Sequence, residues 1–196
     1  IDPIERQHIQ RWTGLLLPPE LVGAHVGSEK AHTTHRVTSL GMRAATALFG
    51  HMGFELDLTE LSDADLAGVA ELISIHKEFR PLLHSGRTVR FDLPDERSLA
   101  HGVVSHDKDQ ALFCYVQMAA SRTEMLPPLK IPGLDPDATY RVEVRRVGED
   151  AVTHEIAPPP WLATGTELSG AELAAAGVQL PGMAPAQAGL FHGKRI

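Results

Sequence analysis

The hydrophobic pattern of this chain changes its period near residue 85, and no single type of regular secondary structure accommodates both patterns. Before that point, apolar residues recur at three- and four-residue spacing, most clearly at Leu66, Val69 and Ile73, which is typical of amphipathic helices. After Gly86, apolar and polar residues alternate in short runs separated by turn residues, which favours strands. The sequence therefore predicts two domains, a helix-rich domain at residues 1–85 and an all-β domain at residues 86–196.

The first domain is predicted to contain three helices and one short buried strand. The helices are expected at residues 3–12, at residues 39–49, and from the N-capping Ser62 to the helix-breaking Pro81. The apolar run at residues 15–17 predicts a buried strand, and residues 23–36 are expected to form a loop. A buried strand followed by a helix needs parallel neighbours, and a complete (β/α)₈ barrel takes about 250 residues. Residues 1–85 are too few to complete such a sheet.

The second domain is predicted to be an antiparallel β-sandwich. Alternating runs bounded by turn signals predict strands at residues 88–93, 99–105, 111–119 and 140–147, with a last short strand at residues 190–192. The turn signals include Pro94-Asp95 and the polar stretch at residues 106–109. Several short strands at this spacing are typical of a sandwich of about 100 residues.

Composition and charge exclude several classes of protein. The 196 residues carry a formal net charge of −7, which argues against a nucleic-acid or membrane-surface partner. No apolar run approaches the roughly 18 residues of a membrane span. A single cysteine, Cys114, excludes an intrachain disulfide framework and a cysteine-based zinc cluster, so we expect a cytoplasmic protein. The chain opens at Ile1 with Asp2 in a helix-capping position, and we therefore expect a piece of a longer polypeptide.

Three histidines form the densest polar cluster of the sequence. His25, His32 and His35 lie in the predicted loop at residues 23–36, among hydroxyl side chains and Arg36. Histidines on a loop can bind a metal ion, but this spacing matches no zinc signature, and no cysteine or HExxH motif accompanies it. A hydrogen-bonded loop beside an active-site face is the favoured interpretation, and we expect no metal.

The other candidate residues each have a structural explanation. Asp2 and Glu5 could be paired catalytic carboxylates, but their spacing fits a capping box better. Cys114 lies in an apolar run and is expected to be a core residue rather than a nucleophile. Trp12 is interpreted as packing rather than as a sugar platform, and Asp57 as a cap or surface pair. The sequence contains no nucleophile elbow, phosphate-binding loop or dinucleotide fingerprint.

The chain resembles the α-galactosidases of glycoside hydrolase family 36 in several segments that follow one another in order. In the first domain these are DPIERQHIQ at residues 2–10, GLLLPP at 14–19, GAHV at 23–26, HTTHRVT at 32–38, ALFGHMGFELDL at 47–58 and KEFRPL at 77–82. In the second domain they are LKIPGLDP at residues 129–136, YRV at 140–142 and SGAEL at 169–173. The segments span nearly the whole chain.

The resemblance implies a fold of α/β plus all-β type, namely the last part of a (β/α)₈ barrel followed by a C-terminal antiparallel β-sandwich. It implies a retaining enzyme that hydrolyses terminal non-reducing α-galactose from raffinose- and melibiose-type oligosaccharides, uses no cofactor and forms a homo-oligomer at full length. It places the nucleophile far upstream. The acid/base is the first aspartate of a Ser-Asp-x-x-Asp stretch whose second aspartate aligns with Asp2.

The resemblance therefore implies that no catalytic residue lies in this chain, because the acid/base falls just before Ile1. We expect the chain alone to be inactive, and we name Asp2, His25 and His32 as candidates for residues near the substrate. An alternative is a non-catalytic β-sandwich module that binds carbohydrate or protein, although two Trp and two Tyr offer few aromatic platforms. A metal enzyme built on the histidine loop is a third, less favoured hypothesis.

Overall fold

The computed structural model describes residues 1–123, 125–147, 153, 155 and 157–196. These residues form two compact units. The first contains Ile1–His84 together with residues 146 and 147, and the second contains Ser85–Arg145 and the described residues from 153 onward. No helix in the described part of the chain is long and apolar enough to cross a membrane.

The first unit is built around one strand–helix–strand repeat. Its helices are α1 (Pro3–Thr13), α2 (Leu40–Leu48) and α3 (Asp63–Ser85), its strands are β1 (Gly23–Gly27) and β2 (His51–Glu55), and Pro19–Leu21 and Leu58–Glu60 form short 3₁₀ turns. The two strands pair in parallel, with His25 opposite Gly53. Because parallel neighbours require a crossover connection, α2 lies between them in sequence and packs against both.

One face of the two-stranded sheet is buried and the other is polar. Ala24 and Val26 of β1 are fully buried, as are nearly all side chains of α2. Gly50, the residue before β2, lies close to the start of β1, where a larger residue would not fit. A Cβ at Gly50 would lie 2.7 Å from the Val22 carbonyl oxygen and 3.0 Å from the Ala24 Cβ. The opposite face carries His25 and Glu55, both exposed.

The strand predicted at residues 15–17 is wrong. These residues form a turn after α1, and Leu16 is 87% exposed. Its amide and that of Leu17 donate to the Thr13 carbonyl, so the backbone curls at the end of the helix instead of extending. The buried strand is β1, which lies within the segment that is expected from the sequence to be a loop.

The predicted end of the third helix is also wrong. Pro81 lies inside α3, which continues to Ser85. Proline removes one intrahelical hydrogen bond and crowds the preceding turn, which disfavours helix. Leu82 and Leu83 directly after it are buried, and their burial offsets this cost.

The second unit contains an antiparallel sheet of six strands. These are β3 (Arg87–Phe91), β4 (Ser98–Val104), β5 (Gln110–Gln117), β6 (Thr139–Arg145), β7 (Thr166–Ser169) and β8 (Gln187–Arg195), in the order β3-β4-β5-β8-β6-β7. Two short helices, α4 (Trp161–Thr164) and α5 (Gly170–Ala175), flank β7. The fold is therefore mixed α/β with an antiparallel sheet, and among the described residues these six strands form one sheet.

The core of the second unit lies against β5 and its neighbours. Phe113, Tyr115, Tyr140 and Phe191 are fully buried in one apolar cluster. The side chains that alternate with them on β5, including Cys114, are also fully buried. Both faces of β5 are therefore covered, which explains the continuous apolar run at residues 111–116.

Candidate functional site

Asp2 in the first unit accepts three hydrogen bonds through its carboxylate. Its side chain is fully buried and caps α1, because Oδ1 accepts a hydrogen bond of 2.8 Å from the Ile4 amide. Oδ2 accepts hydrogen bonds from the Thr34 hydroxyl at 2.7 Å and from the Arg36 Nε at 2.8 Å. Asp2 is thus a helix cap, as the sequence predicts, but the predicted capping box with Glu5 does not form, because Asp2 accepts from the Ile4 amide instead of the Glu5 amide. Asp2 is also half of an ion pair with Arg36, which the sequence does not show.

The protonation state of Asp2 follows from these contacts. Burial alone raises its pKa, but hydrogen bonds from Arg36, Thr34 and the Ile4 amide, together with the charge of Arg36, hold the pKa below its ordinary value. Asp2 is therefore ionised at neutral pH and accepts hydrogen bonds. A general acid needs the opposite property, a proton available near neutral pH. This chemistry argues against Asp2 as the acid of a hydrolase.

The loop that supplies Thr34 and Arg36 is closed on itself by backbone hydrogen bonds. It comprises residues 28–38, between β1 and α2, and we call it the β1–α2 loop. The Ala31 amide donates to the Arg36 carbonyl at 2.9 Å, and the Thr38 amide donates to the Glu29 carbonyl at 3.0 Å. His35 adopts a left-handed conformation with φ of 58°, which turns the chain back towards Arg36.

His25 does not lie in this loop but on β1. The His25 ring packs over Gly53 of β2. A Cβ at Gly53 would lie 2.8 Å from the His25 Cδ2, so the imidazole ring fits there because Gly53 has no side chain. The His25 Nδ1 lies 3.9 Å from the Glu55 Oε2, and the two side chains are 54% and 73% exposed. These residues place a basic and an acidic group together near the carboxyl ends of two parallel strands.

The three histidines of the sequence cluster are not brought together as a metal site. His32 and His35 are exposed in the β1–α2 loop, whereas His25 lies on the sheet beside Glu55. No group of three or more histidine, cysteine or acidic side chains within the described residues could hold a metal ion.

The remaining candidates have structural roles. Cys114 is fully buried on β5, and burial raises the pKa of its thiol, so it is not an activated nucleophile. Asp57 caps the 3₁₀ turn after β2 by accepting from the Thr59 amide at 2.9 Å and the Thr59 hydroxyl at 2.6 Å. Trp12, which is interpreted from the sequence as packing, is 63% exposed in the described residues, and the Arg11 guanidinium lies 5.9 Å from the centroid of its ring.

Sequence reasoning missed three residues that complete these contacts: Thr34, Arg36 and Glu55. Arg36 follows His35 in the polar stretch, but its partner Asp2 is 34 residues earlier, and no local pattern links them. Glu55 occupies the same face of β2 as Gly53, and period-two alternation from His51 could have placed it there once β2 was recognised.

Comparisons with known proteins match both units. Residues 1–86 match the Melibiase family model, and residues 98–192 match the model of the glycosyl hydrolase family 36 C-terminal domain. The α-galactosidase of Escherichia coli is 39% identical over 193 residues, which is 95% of this chain and 27% of that protein. The bifunctional α-galactosidase/sucrose kinase AgaSK of Mediterraneibacter gnavus is 32% identical over 92% of this chain and 17% of its own length.

Solved structures give the same result in three dimensions. The α-galactosidase AgaA of Geobacillus stearothermophilus, solved in complex with raffinose, superposes with a TM-score of 0.84 at 28% identity, over 100% of this chain and 25% of that one. The galactosidase domain of AgaSK superposes with a TM-score of 0.83 at 30% identity. The strand–helix–strand unit, the antiparallel sheet and these matches define a portion of a glycoside hydrolase. The chain belongs to glycoside hydrolase family 36, and it spans between 17% and 27% of the length of these relatives.

Proposed function

We propose that this chain is the C-terminal part of a retaining α-galactosidase that hydrolyses terminal non-reducing α-galactose from oligosaccharides. The observation that carries the proposal is the collinear match of both units, in order, to the two models of one family. The substrate class is supported by relatives solved with raffinose and with stachyose. In this proposal residues 1–85 are the last portion of a (β/α)₈ catalytic barrel, and residues 86–196 are the C-terminal β-sandwich domain.

The geometry of the first unit supports a barrel portion. A parallel strand pair with its crossover helix is the repeating element of a (β/α)₈ barrel, and parallel sheets are normally covered on both faces. In such a barrel the helices lie outside, so the face that carries His25 and Glu55 would point towards the barrel interior. Active sites of this fold lie at the carboxyl ends of the strands, where β1 and β2 end at Gly27 and Glu55.

The proposed reaction uses two carboxylates outside this chain. In a retaining glycosidase one carboxylate attacks the anomeric carbon while a carboxylic acid about 5–5.5 Å away protonates the departing oxygen, and water then hydrolyses the covalent intermediate. We place the acid/base three residues before Asp2 and the nucleophile further upstream. In this chain we propose that Asp2, His25 and His32 lie near the substrate without taking part in bond making.

The experiment compares the 196-residue chain with the longer polypeptide that contains it, using an aryl α-galactoside as substrate. The longer protein should release the aryl group, and the chain alone should not, because removal of either carboxylate eliminates nucleophilic attack or proton transfer. Inactivity of the longer protein on α-galactosides would refute the proposed function. Turnover by the chain alone that Asp2→Asn abolishes would refute the placement of the acid/base.

A carbohydrate-binding module without catalysis is less well supported. Modules that bind sugars on a sheet usually present exposed aromatic rings, which combine an apolar surface with a polar group. In the described part of the second unit the exposed large apolar side chains are Met125 and Ile196, and neither is aromatic. Trp161 packs on Phe191, with ring centroids 5.8 Å apart, and its indole Nε1 donates to the Gln179 carbonyl.

We further propose that the full-length protein is cytoplasmic and forms a homo-oligomer. The single cysteine supports a reducing compartment. Light scattering on the full-length protein tests the assembly, and a mass equal to that of one polypeptide would contradict it. Cell fractionation tests the compartment.

A further inference from the structure

The contacts of Asp2 exceed what a helix cap requires. An N-cap side chain satisfies one or two amides at the start of a helix. Asp2 does this through Oδ1 and the Ile4 amide, yet its second oxygen accepts two more short hydrogen bonds, from Thr34 and Arg36. A fully buried carboxylate with a charged partner and two neutral donors is held in one position, because loss of any contact would leave a desolvated charge.

These contacts join two segments that lie at the same end of a strand–helix fold. α1 begins directly after Asp2, and the β1–α2 loop leaves the carboxyl end of β1. In a (β/α)₈ barrel the start of each helix and the loop after each strand both lie at the carboxyl face. Thr34 and Arg36 therefore tie the start of α1 to the next loop on the face where such enzymes bind substrate. We call Asp2, Thr34 and Arg36 the Asp2 clamp.

We propose that the Asp2 clamp positions the acid/base carboxyl of the hydrolase, a role that rests on the proposed function. In the proposed alignment that acid/base lies three positions before Asp2, so the chain between them spans at most about 10 Å. An anchor this close fixes the position and the direction of the short segment that carries the acid/base. Because a misplacement of about 1 Å can cost a factor of 100 in rate, release of the anchor weakens proton transfer first.

The chemistry of the two steps distinguishes a positioning role from a structural one. In the first step the acid gives its proton to the glycosidic oxygen as the nucleophile bonds to the anomeric carbon. In the second step the same group, now a base, takes a proton from the attacking water. A sugar leaving group needs that proton, whereas a 2,4-dinitrophenolate leaves as a stable anion. An azide ion attacks the covalent intermediate without a base.

The test uses the full-length protein with Asp2→Asn and Arg36→Gln, assayed on raffinose and on 2,4-dinitrophenyl α-galactoside. Asparagine caps a helix as well as aspartate does, so Asp2→Asn weakens the clamp and keeps the cap.

Both variants should lose a factor of about ten or more in kcat/KM on raffinose, because general acid catalysis contributes a factor of about 10²–10⁴ to the rate. On the dinitrophenyl substrate the loss in kcat/KM should be far smaller. Added azide should raise kcat of the variants on this substrate but not kcat of the wild type. Arg36→Lys, which keeps the charge, should recover part of the raffinose activity.

The matched control is Ser62→Ala, which removes the N-cap of α3 and does not contact the clamp. It should lower the melting temperature and leave the ratio of the two kcat/KM values unchanged. Thr34→Val removes a single hydroxyl and serves if the charge variants fail to fold. Equal losses on both substrates, or unchanged kinetics in the clamp variants, would overturn the positioning role. A wild-type protein inactive on both substrates would instead refute the proposed function.

Discussion

His192 gives the sharpest pH-dependent prediction for this chain. It lies on β8, is only 8% exposed, and its Nε2 lies 3.3 Å from the Gln110 Oε1. Burial lowers its pKa, the charges of Arg145 and Lys194 lower it further, and Glu143 opposes them, which leaves a pKa of about 4. The perturbation is therefore acidification from pH 7 to pH 4.5, compared between the wild type and His192→Gln.

The magnitude follows from proton linkage. Between an ordinary pKa of 6.5 and the folded-state pKa of about 4, the unfolded chain binds a proton that the folded chain does not, so the free energy of unfolding falls as pH falls through this window. The whole difference corresponds to roughly 3 kcal/mol, since one pKa unit is about 1.4 kcal/mol. About 2 kcal/mol of it should be lost between pH 7 and pH 4.5. Glutamine does not titrate and lacks this contribution.

The assay is urea unfolding at several pH values, followed by the fluorescence of Trp161, which packs on Phe191 next to the histidine. Trp12→Phe, introduced into the wild type and every variant alike, removes the second tryptophan. Relative to His192→Gln, the wild type should lose about 2 kcal/mol more between pH 7 and pH 4.5. His106→Gln, in the exposed turn after β4, controls for the loss of a histidine and should retain the wild-type dependence. Parallel pH curves for the wild type and His192→Gln would refute the reasoning.

Three further predictions test other parts of the chain. His25→Ala in the full-length protein should lower kcat/KM without changing the melting temperature, whereas lost stability with unaltered kinetics would make His25 structural. Gly177→Ala should lower the free energy of unfolding by more than about 1 kcal/mol, because Gly177 has φ of 75° and a Cβ there would lie 2.4 Å from the Leu129 carbonyl oxygen. An unchanged urea midpoint would contradict this expectation. Cys114 should react with a thiol reagent only after denaturation, because burial raises its pKa and blocks access, and rapid labelling of the native chain would contradict its burial.

The elements predicted correctly are those whose signals are local. The Asp2 and Ser62 caps lie next to the helices that they start, so the sequence locates α1 and the beginning of α3 without tertiary information. The strands β3 to β6 follow the alternating pattern within a few residues, because each has turn residues at its ends. The short β7, α4 and α5 were missed, since their boundaries fall in a stretch rich in glycine and proline.

The errors arise where tertiary context overrides composition. β1 reads Gly-Ala-His-Val-Gly and has weak strand propensity, yet Ala24 and Val26 are buried because α2 packs on them. The apolar run at residues 15–17 has the stronger pattern and is exposed. The Asp2–Arg36 contact was not predictable either, because an ion pair between a buried aspartate and a half-exposed arginine 34 residues later depends on the path of the whole β1–α2 loop.

The polar face of the β1–β2 sheet links the fold to the proposed function. A strand pair that only served to pack would carry apolar side chains on both faces, as buried parallel strands normally do. Here one face is apolar and covered by α2, while the other presents His25 and Glu55 beside the bare backbone of Gly53. Such a face is poorly suited to a dry core and well suited to a surface that meets a hydroxyl-rich ligand. The Asp2 clamp acts at the same place, since it fixes the loop that leaves the carboxyl end of this sheet.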